Sequence, residues 1–267
     1  MIFSVLRARA AFAAMTLSLL GACSTLVQVP PLASTQHVTA PEAERGYARV
    51  LQRHVNEQGE VDFRGLRDDS SASGIHALEN YVAAIAMTPL DAAPSADARL
   101  AHMINAYNAL SMYNVIASNI PRSHDGWAKV KFFVLRKFVI GGNAMSLYAF
   151  ENDVIRKLND PRVHFALNCS AVSCPVLPRM PFTAVALSSE LDRETRQFFA
   201  RPQNLRTDAA TRTVYFNEIL KFYTEDFTPT HALSLIAYVQ RYVQQAIPLD
   251  FAVAFTPYDW TIANSRR

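Results

Sequence analysis

The chain has 267 residues, half of them apolar, with 26 basic and 23 acidic side chains and only eight glycines. A charge this close to balance leaves no electrostatic footprint for nucleic acid. So few glycines argue against a turn-rich all-β sandwich, and the length suits one sizeable domain or two small ones with apolar residues enough for a core.

Arg7 and Arg9 lead an apolar run from Ala10 to Leu20, and Leu20-Gly21-Ala22-Cys23 follows. That order reads as a secretory signal ending in a lipobox, with residues 1–22 removed and Cys23 acylated. A run of about a dozen apolar residues is too short to cross a hydrocarbon core that needs roughly 20. Acyl chains, at about 0.8 kcal/mol per buried methylene, are therefore expected to anchor the protein, which makes membrane lipid its first partner. In bacterial lipoproteins, which this N-terminus resembles, a residue other than Asp after the cysteine implies the outer membrane, here facing the periplasm; Ser24 holds that position. Loss of the signal leaves 24 basic and 23 acidic side chains, a formal charge of +1.

Residues 23–40, rich in Pro, Ser and Thr without periodicity, are expected to form a flexible tether ahead of a single globular domain at 41–267. Pro41 opens helical spacing carried by Tyr47, Val50, Leu51 and Val55, and Gly59 breaks it. A second helix is expected over 74–87 and a third over 95–119, ended by Pro121. Aromatic and β-branched residues between Lys129 and Ile140, then Gly141-Gly142-Asn143, read as a hairpin whose Lys129, Lys131, Arg136 and Lys137 face solvent. A short helix over 146–158 and a strand over 162–168 come next. Helices over 183–200 and 230–247 and strands over 211–216 and 251–255 complete a mixed helix-and-sheet α+β domain.

Asn105 and Asn108 sit three apart on one face of the apolar third helix. Burial would oblige them to find partners, because an unpaired buried amide costs roughly 1–3 kcal/mol, so they are scaffold or site. Tyr107 between them reads as core with a paired hydroxyl. The richest run is His164-Phe165-Ala166-Leu167-Asn168-Cys169-Ser170-Ala171-Val172-Ser173-Cys174-Pro175. If extended, it puts His164, Ala166 and Asn168 on one face and Cys169 on the other, so His164 meets a thiol only if the strand ends first. Three fates stay open for Cys169 and Cys174: a disulfide suited to an oxidising compartment, buried unreacted thiols, or a nucleophile with His164 as base. The C-x4-C spacing lacks a second ligand pair, so no metal is expected, and no cofactor. Tyr258-Asp259-Trp260 reads as a packing corner.

The Asn105-Ala106-Tyr107-Asn108 helix, Ser146-Leu147 leading to Glu151 and Arg156, the block from His164 to Pro175, and Tyr258-Asp259-Trp260 together resemble the domain of unknown function 547 family over about 43–264. The resemblance brings Asn105, Asn108, Glu151, His164, Asn168, Cys169 and Asp259 onto the family's characteristic polar positions. It also invites comparison with thiol hydrolases of papain or transglutaminase type. Relatives often carry a histidine after the glutamate, where this chain has Asn152, so no Glu-His pair is implied. The resemblance implies Cys169 as nucleophile, His164 as base, Asn168, Asn105 or Glu151 as orienter or oxyanion donor, and Asn105 and Asn108 against substrate. The expected function is a cysteine-dependent hydrolase or acyl transferase acting on an amide or peptide bond, with peptide or cell-wall material as substrate. The opposing reading is a non-catalytic envelope lipoprotein that binds a peptide, glycan or partner protein.

Overall fold

The computed structural model describes residues 24–29 and 38–265; the signal segment and the acylation candidate Cys23 lie outside the described residues. Helix α1 (Ala40–His54) starts at Thr39, whose side chain and that of Glu42 cap each other's backbone, with Pro41 in the first turn. After the short α2 (Phe63–Asp68), α3 (Ile75–Met87) packs along α1, where Tyr47 and Tyr81 stack with ring centroids 4.6 Å apart. Helix α4 (Ala96–Ala117) is buried almost all round from Leu100 to Val115, which is what an apolar sequence without a polar face requires, and it forms the axis of the larger core.

Two three-stranded mixed sheets flank this axis. In the first, β1 (Thr25–Leu26) runs parallel to β2 (Arg136–Ile140), which pairs antiparallel with β3 (Asn143–Ser146) across Gly141 and Gly142, both at positive φ. The docking of β1 corrects the expected tether. Val27 N–H donates to Lys137 O at 2.8 Å, Tyr113 hydroxyl donates to Gln28 O at 3.1 Å, and Val27 is buried, so residues 25–28 are part of the domain.

The hairpin is shorter than its residues suggested. Residues 127–130 form a helical turn, α5, and Lys131–Leu135 a π-helical turn, so strand begins only at Arg136. There the guanidinium donates to Asn114 Oδ1 and Ala117 O on α4 instead of facing solvent. A second π-helical turn, Phe150–Ile155, follows the single turn α6 (Leu147–Ala149).

The expected strand over 162–168 is a 3-10 helix, Pro161–Phe165. Asp160 caps it by accepting from Arg162 N–H at 3.0 Å, and Pro161 occupies its tolerated first position. Packing supplies the reason: Val163 enters the larger core, Phe165 enters a second core, and His164 lines a cavity. A strand offers two directions for successive side chains; three are needed here.

Helix α7 (Leu187–Phe199), the sheet of β4 (Leu205–Asp208), β5 (Thr213–Asn217) and β6 (Ala252–Thr256), and the short helices α8 (Ile219–Phe222), α9 (Thr224–Phe227) and α10 (Leu235–Val239) surround the second core. The helix expected over 230–247 is only α10. Ser234 caps its start, and beyond its end the Gln240 side chain accepts from Ile247 N–H at 2.8 Å and folds the chain back. The two cores meet along the 3-10 helix and α7, each of which sends side chains into both, giving a single α+β domain.

The pair in α4 is scaffold. Asn108 donates to Ala166 O at 3.0 Å and accepts from Asn168 N–H at 2.8 Å, all three groups buried. Asn108→Leu strands one donor and one acceptor and is expected to lower stability by about 2–4 kcal/mol, read as a lower denaturant midpoint. An unchanged midpoint would contradict the assignment.

Candidate functional site

A cavity of about 310 Å³ lies at the seam between the two cores. Leu167 and Tyr107 wall it from the first core, Ile219 and Tyr223 from the second, the exposed Phe222 from α8, and Tyr258 and Trp260 from the C-terminal segment. Both π-helical turns contribute, Phe133 and Val134 from one and Glu151 from the other. Such turns are rare, and they shift side-chain direction where a regular helix would not.

Cys169 and Cys174 are joined in a disulfide on the cavity wall. The loop is tightly built. Asn168 Oδ1 accepts from Ser170 N–H at 2.7 Å, Asn168 Nδ2 donates to Pro175 O at 2.7 Å, and Cys169 N–H points at Cys174 Sγ at 3.1 Å. Ser170 adopts φ +65°, a left-handed conformation that a non-glycine residue holds only when its surroundings fix it. The C-terminal segment laces this loop down through Val172 N–H to Thr261 O and Ala263 N–H to Ser170 O, both 2.8 Å. Tyr258 hydroxyl donates to Cys174 Sγ at 3.1 Å and lies 3.6 Å from Cys169 Sγ. A bonded sulfur carries no thiolate, so in this form Cys169 is no nucleophile.

His164 does not bond to Cys169. Its Nε2 lies 2.7 Å from Asp226 Oδ2, and its ring stacks on Tyr223 at 4.0 Å. Arg156 donates to both oxygens of Asp226, at 2.6 and 2.7 Å, and to Glu225 and Asn152. Burial alone would raise the Asp226 carboxyl, but the hydrogen bonds and charges of His164 and Arg156 overrule it and hold it well below the usual range. Asp226 thus stands beside the imidazole where Asn168, Asn105 or Glu151 was expected. It lies 62 positions from His164, and no local spacing links the two.

Glu151 is in the cavity and 6 % exposed. Tyr107 hydroxyl donates to its Oε2 at 2.9 Å, and Tyr223 lines the cavity beside it. Burial, reinforced by Glu151, pushes the Tyr107 and Tyr223 hydroxyls up, so both stay protonated donors. At the rim, the Lys129 ammonium sits 3.4 Å from the centroid of the Trp260 ring, so the basic cluster is not a plain solvated face.

Asn105 is not part of the cavity. It exchanges hydrogen bonds with Phe182, donating to its O at 2.8 Å and accepting from its N–H at 2.9 Å, and so holds the loop before α7. Asn108 and Asn168 likewise spend their amides on backbone. Asp259 is exposed and accepts from Thr261 N–H, as a corner residue does. Among the described residues, no group of three His, Cys, Asp or Glu side chains could hold a metal ion.

His124 escaped attention in the sequence. Its Nε2 bonds Cys169 O at 3.0 Å, its buried Nδ1 has no partner, and burial pushes its pKa down to about 4. A histidine depressed in the fold takes up its proton more readily unfolded, so its contribution is intact above about pH 6.5 and lost as pH falls toward 4. By linkage this amounts to about 3 kcal/mol. His124→Gln, which keeps a donor to Cys169 O without a titrating ring, should flatten the fall in stability over that window. Identical pH profiles for the two proteins would contradict the assignment.

No curated protein and no solved structure matches the chain. Residues 92–199, from just before α4 through α7, match the model of the family described as protein of unknown function, DUF547, and carry with them eleven of the sixteen residues that line the cavity.

Proposed function

We propose that the chain is a lipid-anchored binding protein of the bacterial envelope that holds a small group of a peptide, glycan or other ligand in the cavity between its two cores. The observation that supports this reading is a preformed cavity, walled by aromatic rings, in which Cys169 is committed to a disulfide and the His164 Nε2 to Asp226. Its volume lies at the lower end for small-ligand sites, and apolar walls with a few convergent polar groups are what such sites share.

Anchoring through Cys23 gives the cavity an orientation. Thr25, the first strand residue after the anchor, pairs with Arg136, just after the turn whose Phe133 and Val134 line the cavity. An anchor ahead of β1 would hold the mouth close to the lipid surface, with the cavity-lining Val134, Tyr148 and Phe222 exposed there. Cys23→Ser is expected to abolish lipid labelling and membrane fractionation; wild-type protein that carries no acyl chain would contradict the anchor.

Binding is tested with the apolar fluorescent probe N-phenyl-1-naphthylamine and a variant, Ile219→Trp, that fills the cavity. Saturable one-site binding to wild type and its loss in the folded variant are expected. Equal binding to both would contradict the reading. A second reading keeps the thiol chemistry: on reduction, Cys169 would share the cavity with His164, itself backed by Asp226 and Arg156 in the order of nucleophile, base and orienter. Amide cleavage that requires both reductant and Cys169 would put this reading first.

A further inference from the structure

We propose that the cavity selects a primary ammonium ion on an apolar body, with the charged head on Glu151 and the body along the aromatic rings. This rests on the binding-protein reading and adds the chemical class of the ligand.

Glu151 is a carboxyl group removed from water with no cation paired to it among the described residues. The hydrogen bond it accepts comes from one phenol, Tyr107, with Tyr223 beside it on the cavity wall. Phenols soften the loss of solvent but bring no positive charge, and a desolvated carboxylate without a counter-charge is costly. Every nearby cation is engaged elsewhere. Arg156 is spent on Asp226, Glu225 and Asn152, and His164 on Asp226. Lys129 lies over Trp260, and the carboxylates that act on it are Asp125 and Glu218. A carboxylate has room for about four hydrogen bonds, so the Tyr107 phenol leaves acceptor capacity for an N–H donor.

The walls suit the same ligand. Ring faces carry negative charge density and attract ammonium groups, best when water is excluded. The protein already does this once at the rim, where the Lys129 ammonium rests 3.4 Å from the Trp260 ring centroid. An anionic head would meet Glu151 unfavourably. A neutral head would leave its charge uncompensated. A cavity of about 310 Å³ takes a group the size of a lysine side chain or a small free amine, not a folded partner.

The test is calorimetric titration of the mature, unreduced protein near neutral pH with n-hexylammonium, n-hexanol and hexanoate, and with Nα-acetyl-lysine methylamide as a peptide-borne ammonium. Hexylammonium is expected to bind at least about tenfold tighter than hexanol, with hexanoate weakest. Tighter binding of the lysine derivative would identify a peptide source, and tighter binding of hexylammonium a free amine; both support the proposal. Glu151→Gln should bring hexylammonium down to the hexanol level while hexanol binding persists, with a thermal melt reporting that the variant is folded. Trp260→Leu, at the half-exposed rim, should weaken the ammonium ligands more than hexanol. Hexanol binding as tightly as hexylammonium, and lost in Ile219→Trp, would overturn the ammonium proposal and leave the binding protein standing. No binding of any probe would overturn both.

Discussion

One amide, the side chain of Asn108, holds the segment on which the cavity is built. It donates to Ala166 O and accepts from Asn168 N–H, and so fixes the point at which the chain leaves the 3-10 helix and enters the disulfide loop. Because both bonds are buried, losing them would expose nothing to water and would leave two backbone groups unpaired. From that fixed point Leu167 reaches the cavity, Asn168 closes its own turn, and Ser170 is driven into its left-handed conformation. The disulfide then ties the far end of the same loop back to its start.

The opposite wall is held by charge. Arg156, at the end of the second π-helical turn, grips Asp226, and Asp226 grips His164 from across the seam between the cores. The cavity stays open because neither core can collapse into it: one side is pinned by amides and a disulfide, the other by the Arg156–Asp226 ion pair and the histidine that bonds to it. Hydrogen-bonded polar frames of this kind fix a geometry while adding little net stability, which is the form expected of a preformed site.

Much of this was legible in the sequence. Helix α4 and its buried asparagines, the turn at Gly141-Gly142, and the helices over 40–54 and 75–87 follow from apolar periodicity and caps that act within a few residues. The block from His164 to Cys174 was recognisable as the richest polar run, but its geometry was not. Alternation assumed two faces, whereas the junction of two cores demanded three directions from Val163, His164 and Phe165. Asp226, Tyr223 and His124 were invisible for a related reason: they meet the site only through tertiary folding, and no short-range pattern marks them. The tether was misjudged because a two-residue strand leaves no periodicity to read, although it docks firmly on β2.

The most direct measurement of the account is disulfide mapping of the native, unreduced protein, with alkylation under non-denaturing conditions followed by mass spectrometry of its peptides. A cavity walled by a closed Cys169–Cys174 bridge predicts one linked peptide pair and no alkylation at either residue until reductant is added. A free Cys169 that alkylates rapidly near neutral pH, and slows when His164 is changed to Ala, would contradict the account and return the site to nucleophilic chemistry.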